Sequence, residues 1–292
     1  MTHEEKSNAG TENGWELLTS EKESLEGAFM DYIYPKVSVV IPTYNCSQLI
    51  SLTIDKVLVQ EYPDFEIIII DAGSTDSTLD IINSFYSDKI RISTVTQFQR
   101  FEMLNKGISL ARGEYLSFLF PGEFYLQNQT ARQMMNLAIE SDKPHLVYGA
   151  GLIRRPDSDV MLIYRELSTK LLKKGFQPTS LESCFFRSDL FPFLGKFRPD
   201  LELRGGYEIF CRFSLSPGLQ HVSTSQVVTD YEYRSFTRKK LILHFKETLK
   251  TIYRHFGFLN ALRWLFTQND LFNLAKMWLN SLKLAFLGQH QK

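Results

Sequence analysis

The sequence predicts an α/β fold built on a doubly wound, mostly parallel sheet, followed by a C-terminal helical extension. Three observations carry this expectation. Short β-branched runs alternate with helical stretches from residue 36 to about 120, and strands joined through helices run parallel with right-handed crossovers. Two of the runs, Val37-Ser38-Val39-Val40-Ile41 and Phe65-Glu66-Ile67-Ile68-Ile69-Ile70, are almost wholly apolar, as strands covered on both faces are. A chain of 292 residues with 43% hydrophobic and 13% aromatic content can fill one large core.

Taken in order, residues 1–35 are polar and acidic and read as a flexible leader. The first strand, 37–41, is stopped by Pro42, and a helix follows over about 48–60 with Ser47 as its cap. A second strand covers 65–70, a helix with Asp76 as its cap covers 77–86, and a third strand covers 90–95. A helix over 101–111 leads to a fourth strand at 115–119. Beyond Gln127 the spacing loosens into a helix over 129–141, strands near 146–148, 161–164 and 184–186, a helix over 207–214 and a closing strand over 227–233. The sheet domain is thus 36–235, and 236–292 is a helical tail.

Charge and cysteine usage narrow the functional classes. Net charge is zero, but residues 1–31 hold eight acids against two bases, while 236–292 hold ten bases against two acids. Such asymmetry points to a surface partner for the tail. The three cysteines (Cys46, Cys184, Cys211) show no paired spacing, which implies a reducing compartment. With no apolar leader segment and no uncharged apolar stretch of spanning length, the expected location is the cytoplasm. The six histidines have no zinc-site spacing, and the sheet domain lacks a basic, aromatic-interleaved patch; zinc and nucleic acid are therefore not expected.

In open α/β sheets ligands bind beyond the carboxyl ends of the strands. Two strand ends here are polar: Pro42-Thr43-Tyr44-Asn45 and Asp71-Ala72-Gly73-Ser74-Thr75-Asp76. Neither a GxGxxG nor a GxxxxGK[ST] loop is present, so side chains must hold the ligand. Tyr44 offers a ring, Asn45 and Asp71 offer acceptors, and Ser74 offers a hydroxyl. A carboxylate that accepts an imide N–H suits uracil or thymine. The same residues also read as a tight turn followed by a cap at Asp76; the position of Asp71 directly after four isoleucines favours a ligand role for it.

The segments 37–45 and 71–76, with Phe101-Glu102-Met103-Leu104-Asn105-Lys106-Gly107 and Ala111-Arg112-Gly113-Glu114-Tyr115, resemble the family 2 glycosyltransferases over residues 36–235. Val147-Tyr148-Gly149 and Phe185-Phe186-Arg187 resemble its colanic acid and exopolysaccharide subgroup. The resemblance implies a GT-A fold, a UDP- or dTDP-type sugar donor, a saccharide or lipid-linked acceptor, and transfer with inversion. It places Pro42, Tyr44, Asn45 and Asp71 around the donor's nucleoside.

Two departures from the family pattern concern chemistry. Where the family has Asp-x-Asp for a divalent metal, this chain has Phe120-Pro121-Gly122, leaving Glu123 as the nearest candidate ligand for Mg²⁺ or Mn²⁺. Where the family has an acidic pair that includes the general base, this chain has Gly205-Gly206. Glu208 is then the remaining base candidate, although two residues along a helix turn a side chain by about half a turn. Arg204 is readable as a phosphate ligand or as a surface cation. A catalytically impaired relative that binds nucleotide or glycan, or scaffolds a partner, is the competing class.

The tail, through 239–287, is expected to lie on a membrane surface, making the protein peripheral on an inner face. Leu241, Phe245, Leu249, Ile252 and Phe256 form one stripe among Lys246, Lys250 and Arg254, and Trp264 and Phe266 follow. Docking of that stripe onto the sheet domain is the alternative.

Overall fold

The computed structural model describes residues 34–155, 158–232 and 237–267. The leader to residue 33 and the tail beyond 267, including the last helix expected after Asp270, lie outside the described residues.

Among the described residues a nine-stranded sheet runs in the order β3-β2-β1-β4-β8-β6-β9-β5, with β7 beside β6. The parallel part consists of β1 (Val37–Thr43), β2 (Phe65–Asp71), β3 (Ile90–Thr94) and β4 (Tyr115–Phe118). Helices α1 (Ile50–Leu58), α2 (Thr78–Ser84) and α3 (Arg100–Leu110) make its crossovers. After the short β5 (Phe124–Tyr125) and α4 (Thr130–Glu140) come β6 (Leu146–Arg155), β7 (Ser158–Ile163) and α5 (Thr169–Lys173). Strand β8 (Cys184–Arg187) runs antiparallel to both β4 and β6, whereas β9 (His221–Glu232) runs parallel to β6. Between them lie α6 (Leu190–Leu194) and α7 (Gly205–Leu215), and α8 (Arg238–Phe256) and α9 (Phe258–Thr267) follow β9.

The period of two along β1 and β2 divides the core. Val37, Val39, Ile41, Ile67 and Ile69 pack beneath α1, α2 and α4. Val40, Ile68 and Ile70 pack on the other face beneath α3, α7, α8 and α9. All seven residues of each strand are buried, as the apolar runs required. Helix α3 lies tight on β1 because residue 107 is glycine: a Cβ there would stand 2.2 Å from Val40 Cγ1.

Two local expectations change. Strand β1 continues through Pro42 to Thr43, because β4 pairs only as far as Val40 and a strand end unpaired on one side tolerates proline. The short elements β5, α5 and α6 were not legible in the pattern, being two to five residues long.

Helix α8 packs on the sheet domain. Phe245, Leu249, Ile252 and Phe256, the stripe expected to meet a membrane, face the core instead. Glu247 accepts the backbone N–H groups of Glu202, Leu203 and Arg204 at 2.7, 2.9 and 2.8 Å. Trp264 of α9 is buried and donates to Lys174 O. The apolar residues left outside on these helices are Ile242, Tyr253, Phe258, Leu259, Leu262 and Phe266.

Candidate active site

The carboxyl ends of β1, β2 and β4 meet at one edge of the sheet. Asn45 there adopts a left-handed backbone, φ 44°, a conformation asparagine tolerates better than most residues. That turn points its Oδ1 at the β2 loop, where it accepts from Thr75 N at 2.8 Å and Asp76 N at 3.4 Å. In return, Ser74 Oγ accepts from Asn45 N at 3.0 Å. Asn45 and Ser74 therefore tie the two strand ends together. Asp76 accepts from Thr78 N at 3.0 Å, close to the expected cap, and its bonds with Thr78 hold its carboxyl down to about 2.

Asp71 is fully buried. Its Oδ1 accepts from Thr43 Oγ1 at 2.9 Å and Ser74 Oγ at 2.6 Å, and its Oδ2 accepts from Ser74 N at 2.8 Å. The carboxylate expected to meet a pyrimidine shapes the loop from below, as the turn reading allowed. The faces open to a ligand belong to Tyr44 and Phe98, 45% and 54% exposed, with ring centroids 5.7 Å apart. Exposed aromatic pairs offer stacking area to a base. Pro42 is buried beneath this platform's strand.

At the end of β4 the backbone turns sharply. Thr53 Oγ1 accepts from Gly122 N and donates to Glu123 O, both at 2.9 Å. Glu123 folds inward, its Oε2 accepting from Phe120 N at 2.9 Å. Its carboxyl also hydrogen-bonds with that of Glu182, a buried residue in the 3₁₀ turn Leu181–Ser183 before β8. Burial and the adjacent Glu182 charge push the Glu123 carboxyl well above the usual carboxylate range. Burial raises Glu182 as well. The Arg100 guanidinium stacks on Phe120, 3.9 Å from the ring centroid, and its charge opposes both shifts.

Helix α7 closes the cleft with Gly205 and Gly206. A Cβ on Gly205 would stand 2.5 Å from the Phe101 ring, and one on Gly206 would meet Leu181 at 3.4 Å. Glu208 does not reach the cleft. It is fully buried, held by Arg212 at 2.8–3.1 Å and by His255 Nε2 at 3.0 Å. The expectation of a base at Glu208 is corrected by this geometry: the half-turn offset carries the carboxylate to the α8 side. Arg204 is neither a surface cation nor a phosphate ligand. It is buried, donates to Gly175 O at 2.6 Å and stacks on Tyr207, and burial brings its guanidinium down to about 10.

A polar hollow of about 400 Å³ lies at the opposite edge, lined by Lys36, Asp64, Arg112, Glu114 and Lys143. Two of its cations are spent on acids, Lys36 on Asp64 and Lys143 on Glu114, each at 3.0 Å. It also faces the amino ends of the strands, away from where such sheets bind ligands.

Residues 38–119 match the model of glycosyl transferase family 2. A PGL/p-HBAD biosynthesis glycosyltransferase of Mycobacterium bovis is 26% identical over 200 residues, covering 68% of this chain and 77% of that protein. Residues 38–119 therefore form a glycosyl transferase family 2 domain, and the relatives that match a larger share of the chain are glycosyltransferases. An uncharacterized glycosyltransferase of Rickettsia typhi is 30% identical over 187 residues, covering 61% of this chain and 58% of the relative. Among solved structures, Staphylococcus aureus TarS 1–349 in complex with UDP superposes with a TM-score of 0.60 at 16% identity. It covers 75% of this chain, which spans 65% of the TarS chain. A mannosyltransferase of Pyrobaculum calidifontis in complex with GDP-Man and Mn²⁺ gives 0.53 at 18% identity, with 85% and 81% covered. These likenesses show the GT-A fold.

In this glycosyltransferase the donor set at the β4 end does not fit a divalent metal. Phe120 and Gly122 bring no oxygen side chain, Glu123 turns inward to accept from Phe120 N, and a cation, Arg100, lies over Phe120. Among the described residues no three His, Cys, Asp or Glu side chains converge on one point. The expectation of Glu123 as a metal ligand is revised accordingly. Sequence reasoning missed three members of the site: Phe98, Arg100 and Glu182. A signal existed for Glu182, an acid set within the largely apolar stretch 181–186; for Phe98 and Arg100 it was only their place after β3, at the start of α3.

Proposed function

We propose that this glycosyltransferase moves a sugar from a UDP- or dTDP-type donor to a hydroxyl of a saccharide or lipid-linked saccharide, with inversion. The observation that carries the proposal is the open Tyr44–Phe98 platform beside the loops tied by Asn45 and Ser74, at the strand ends of the family-matched segment. Relatives support the donor class: TarS is solved with UDP and with UDP-GlcNAc.

In this reading the nucleoside stacks on Tyr44 and Phe98. The acceptor oxygen attacks the anomeric carbon as the bond to the diphosphate oxygen breaks, and that electron pair leaves with the diphosphate. The acceptor's proton passes to the carboxylate of Glu182 beside Glu123, both of which burial raises above the ordinary range. A carboxyl raised toward the working pH is a better base than an ordinary one. Asn45, Asp71 and Ser74 position the platform's loops rather than bond the base.

The competing reading, a relative without turnover that binds nucleotide or scaffolds a partner, draws on Gly205-Gly206 and the buried Glu208. Incubating the full chain with a panel of UDP- and dTDP-sugars and lipid-linked acceptors, with the product's anomeric configuration read by NMR, tests the proposal. Transfer with inversion supports it; UDP binding without turnover on any donor favours the scaffold.

The α8–α9 pair supports placement at a membrane surface, which suits a lipid-linked acceptor. An apolar groove of about 390 Å³ lies between these helices, lined by Leu249, Tyr253, Phe258, Leu262 and Leu265, with Lys246 and Lys250 at its edge. Exposed aromatic and aliphatic side chains flanked by cations suit an anionic interface. Among the described residues no helix is long and apolar enough to cross a membrane.

A further inference from the structure

We infer that Arg100 supplies the positive charge on the donor's diphosphate, so that donor binding needs no divalent cation. The inference rests on the donor reading above and concerns which group answers the diphosphate. A leaving diphosphate gains charge as its bond to the sugar breaks, and something cationic must be in place before that happens. In this cleft the metal's usual acids are a phenylalanine and a glycine, and the charge that is present is a guanidinium.

Three features of Arg100 bear on this. First, its side chain is held but not spent. It stacks on Phe120 at 3.9 Å, yet among the described residues it forms no hydrogen bond or ion pair, so its N–H donors are free for phosphate oxygens. A guanidinium on an aromatic face keeps its in-plane donors free while its flat side is supported. Second, the two acids near it do not neutralise it fully. Burial pushes the carboxyls of both Glu123 and Glu182 upward, which favours their neutral forms and weakens the negative charge that faces the guanidinium. Third, its place is central. Phe98, two residues before it, is half of the platform with Tyr44, and Phe101, immediately after it, abuts Gly205 at the start of α7. Residue 120 as phenylalanine is then meaningful, since an aspartate there would clamp the guanidinium rather than support it. The buried arginine near the cleft, Arg204, is already committed to Gly175 O and Tyr207.

In the transfer step, the bond from the anomeric carbon to the diphosphate oxygen breaks and its electron pair stays on that oxygen, where Arg100 answers the charge. The acceptor oxygen forms the new bond and loses its proton to the protein.

The test is calorimetric titration of the full chain with UDP and with uridine, in EDTA and again in excess Mn²⁺. Wild type, Arg100→Ala, Arg100→Gln and Arg100→Lys are compared, each checked for an unchanged melting curve. UDP is expected to bind in EDTA, with Mn²⁺ changing the affinity less than twofold. Arg100→Ala and Arg100→Gln are expected to weaken UDP about 10- to 100-fold, the usual scale for a charge-assisted contact, to leave uridine unchanged, and Arg100→Lys to recover part of the loss. The inference is overturned if UDP binds only with Mn²⁺, or if both neutral variants bind UDP as wild type does. Should neither UDP nor uridine bind wild type, the donor reading falls and this inference with it.

Discussion

His255, on α8, donates its Nε2–H to Glu208 Oε1 at 3.0 Å and so joins the C-terminal helices to α7, the helix that closes the cleft. Arg212, one turn along α7, binds the same carboxylate at 2.8–3.1 Å and also donates to Leu194 O, Gly195 O and Lys196 O. The acid that the sequence offered as a base candidate is here the centre of a structural knot.

That knot makes stability depend on pH. Burial alone would raise the Glu208 carboxyl, but hydrogen bonds from His255 and Arg212, with their charges, outweigh it and hold the group below its ordinary value. A depressed folded pKa contributes stability above the unfolded value of about 4.3 and loses it as pH falls through the folded value. Denaturant titrations from pH 7 down to pH 3 are expected to show this loss, and Glu208→Gln to flatten it. Arg212→Ala, which leaves a buried carboxylate underpaired, is expected to cost about 3–5 kcal/mol at pH 7.

Glu247 holds three consecutive backbone N–H groups that no helix or strand satisfies. Glu247→Ala is expected to lower stability by about 2–4 kcal/mol, since each unmet buried donor costs about 1–3 kcal/mol and water recovers part of it. A chain ending at residue 236 is expected to lose cooperative melting. Retention of a sharp transition by that truncation would contradict the role given to α8.

Asn45→Ala removes the acceptor for Thr75 N and Asp76 N and sets alanine in a left-handed backbone. The expected result is a loss of about 1–3 kcal/mol together with at least a tenfold rise in KM for the donor, because the platform's loops part. Steady-state kinetics beside thermal melts separates the two effects.

Glu182→Gln keeps the shape of the buried side chain but removes its carboxylate as a proton acceptor. A fall in kcat of about 10²–10⁴-fold is expected, with UDP affinity within twofold of wild type. Unchanged kcat would show that the acceptor's proton leaves by another path.

Replacing Phe258 and Phe266, both well exposed, by serine is expected to lower co-sedimentation with anionic vesicles without shifting the melting temperature. Neutral vesicles and high salt should weaken binding of wild type in the same direction.

The parallel half of the fold was legible because β1 and β2 are almost wholly apolar and alternate with helical stretches. Helix α3 was legible as the helical stretch 101–111, whereas its close approach to β1 at Gly107 emerges only in the assembled fold. The orientation of side chains at the site was not. Asp71 reads as a ligand from its place after four isoleucines, yet Ser74 and Thr43 enclose its carboxylate, and those bonds depend on a loop path that a linear pattern does not encode. Glu182 and Glu123 stand 59 positions apart and meet only because β8 folds back beside β4. The amphipathic stripe of α8 was read correctly as apolar, but its partner, the face of the sheet domain, is a property of the assembled fold.

Backbone hydrogen exchange of the full chain, with and without saturating UDP, shows whether donor nucleotide occupies the edge where β1, β2 and β4 end. Slowed exchange is expected at residues 43–46, 73–76 and 98–101. Protection confined to the opposite hollow around Lys36, Arg112 and Lys143, or none at all, would contradict it.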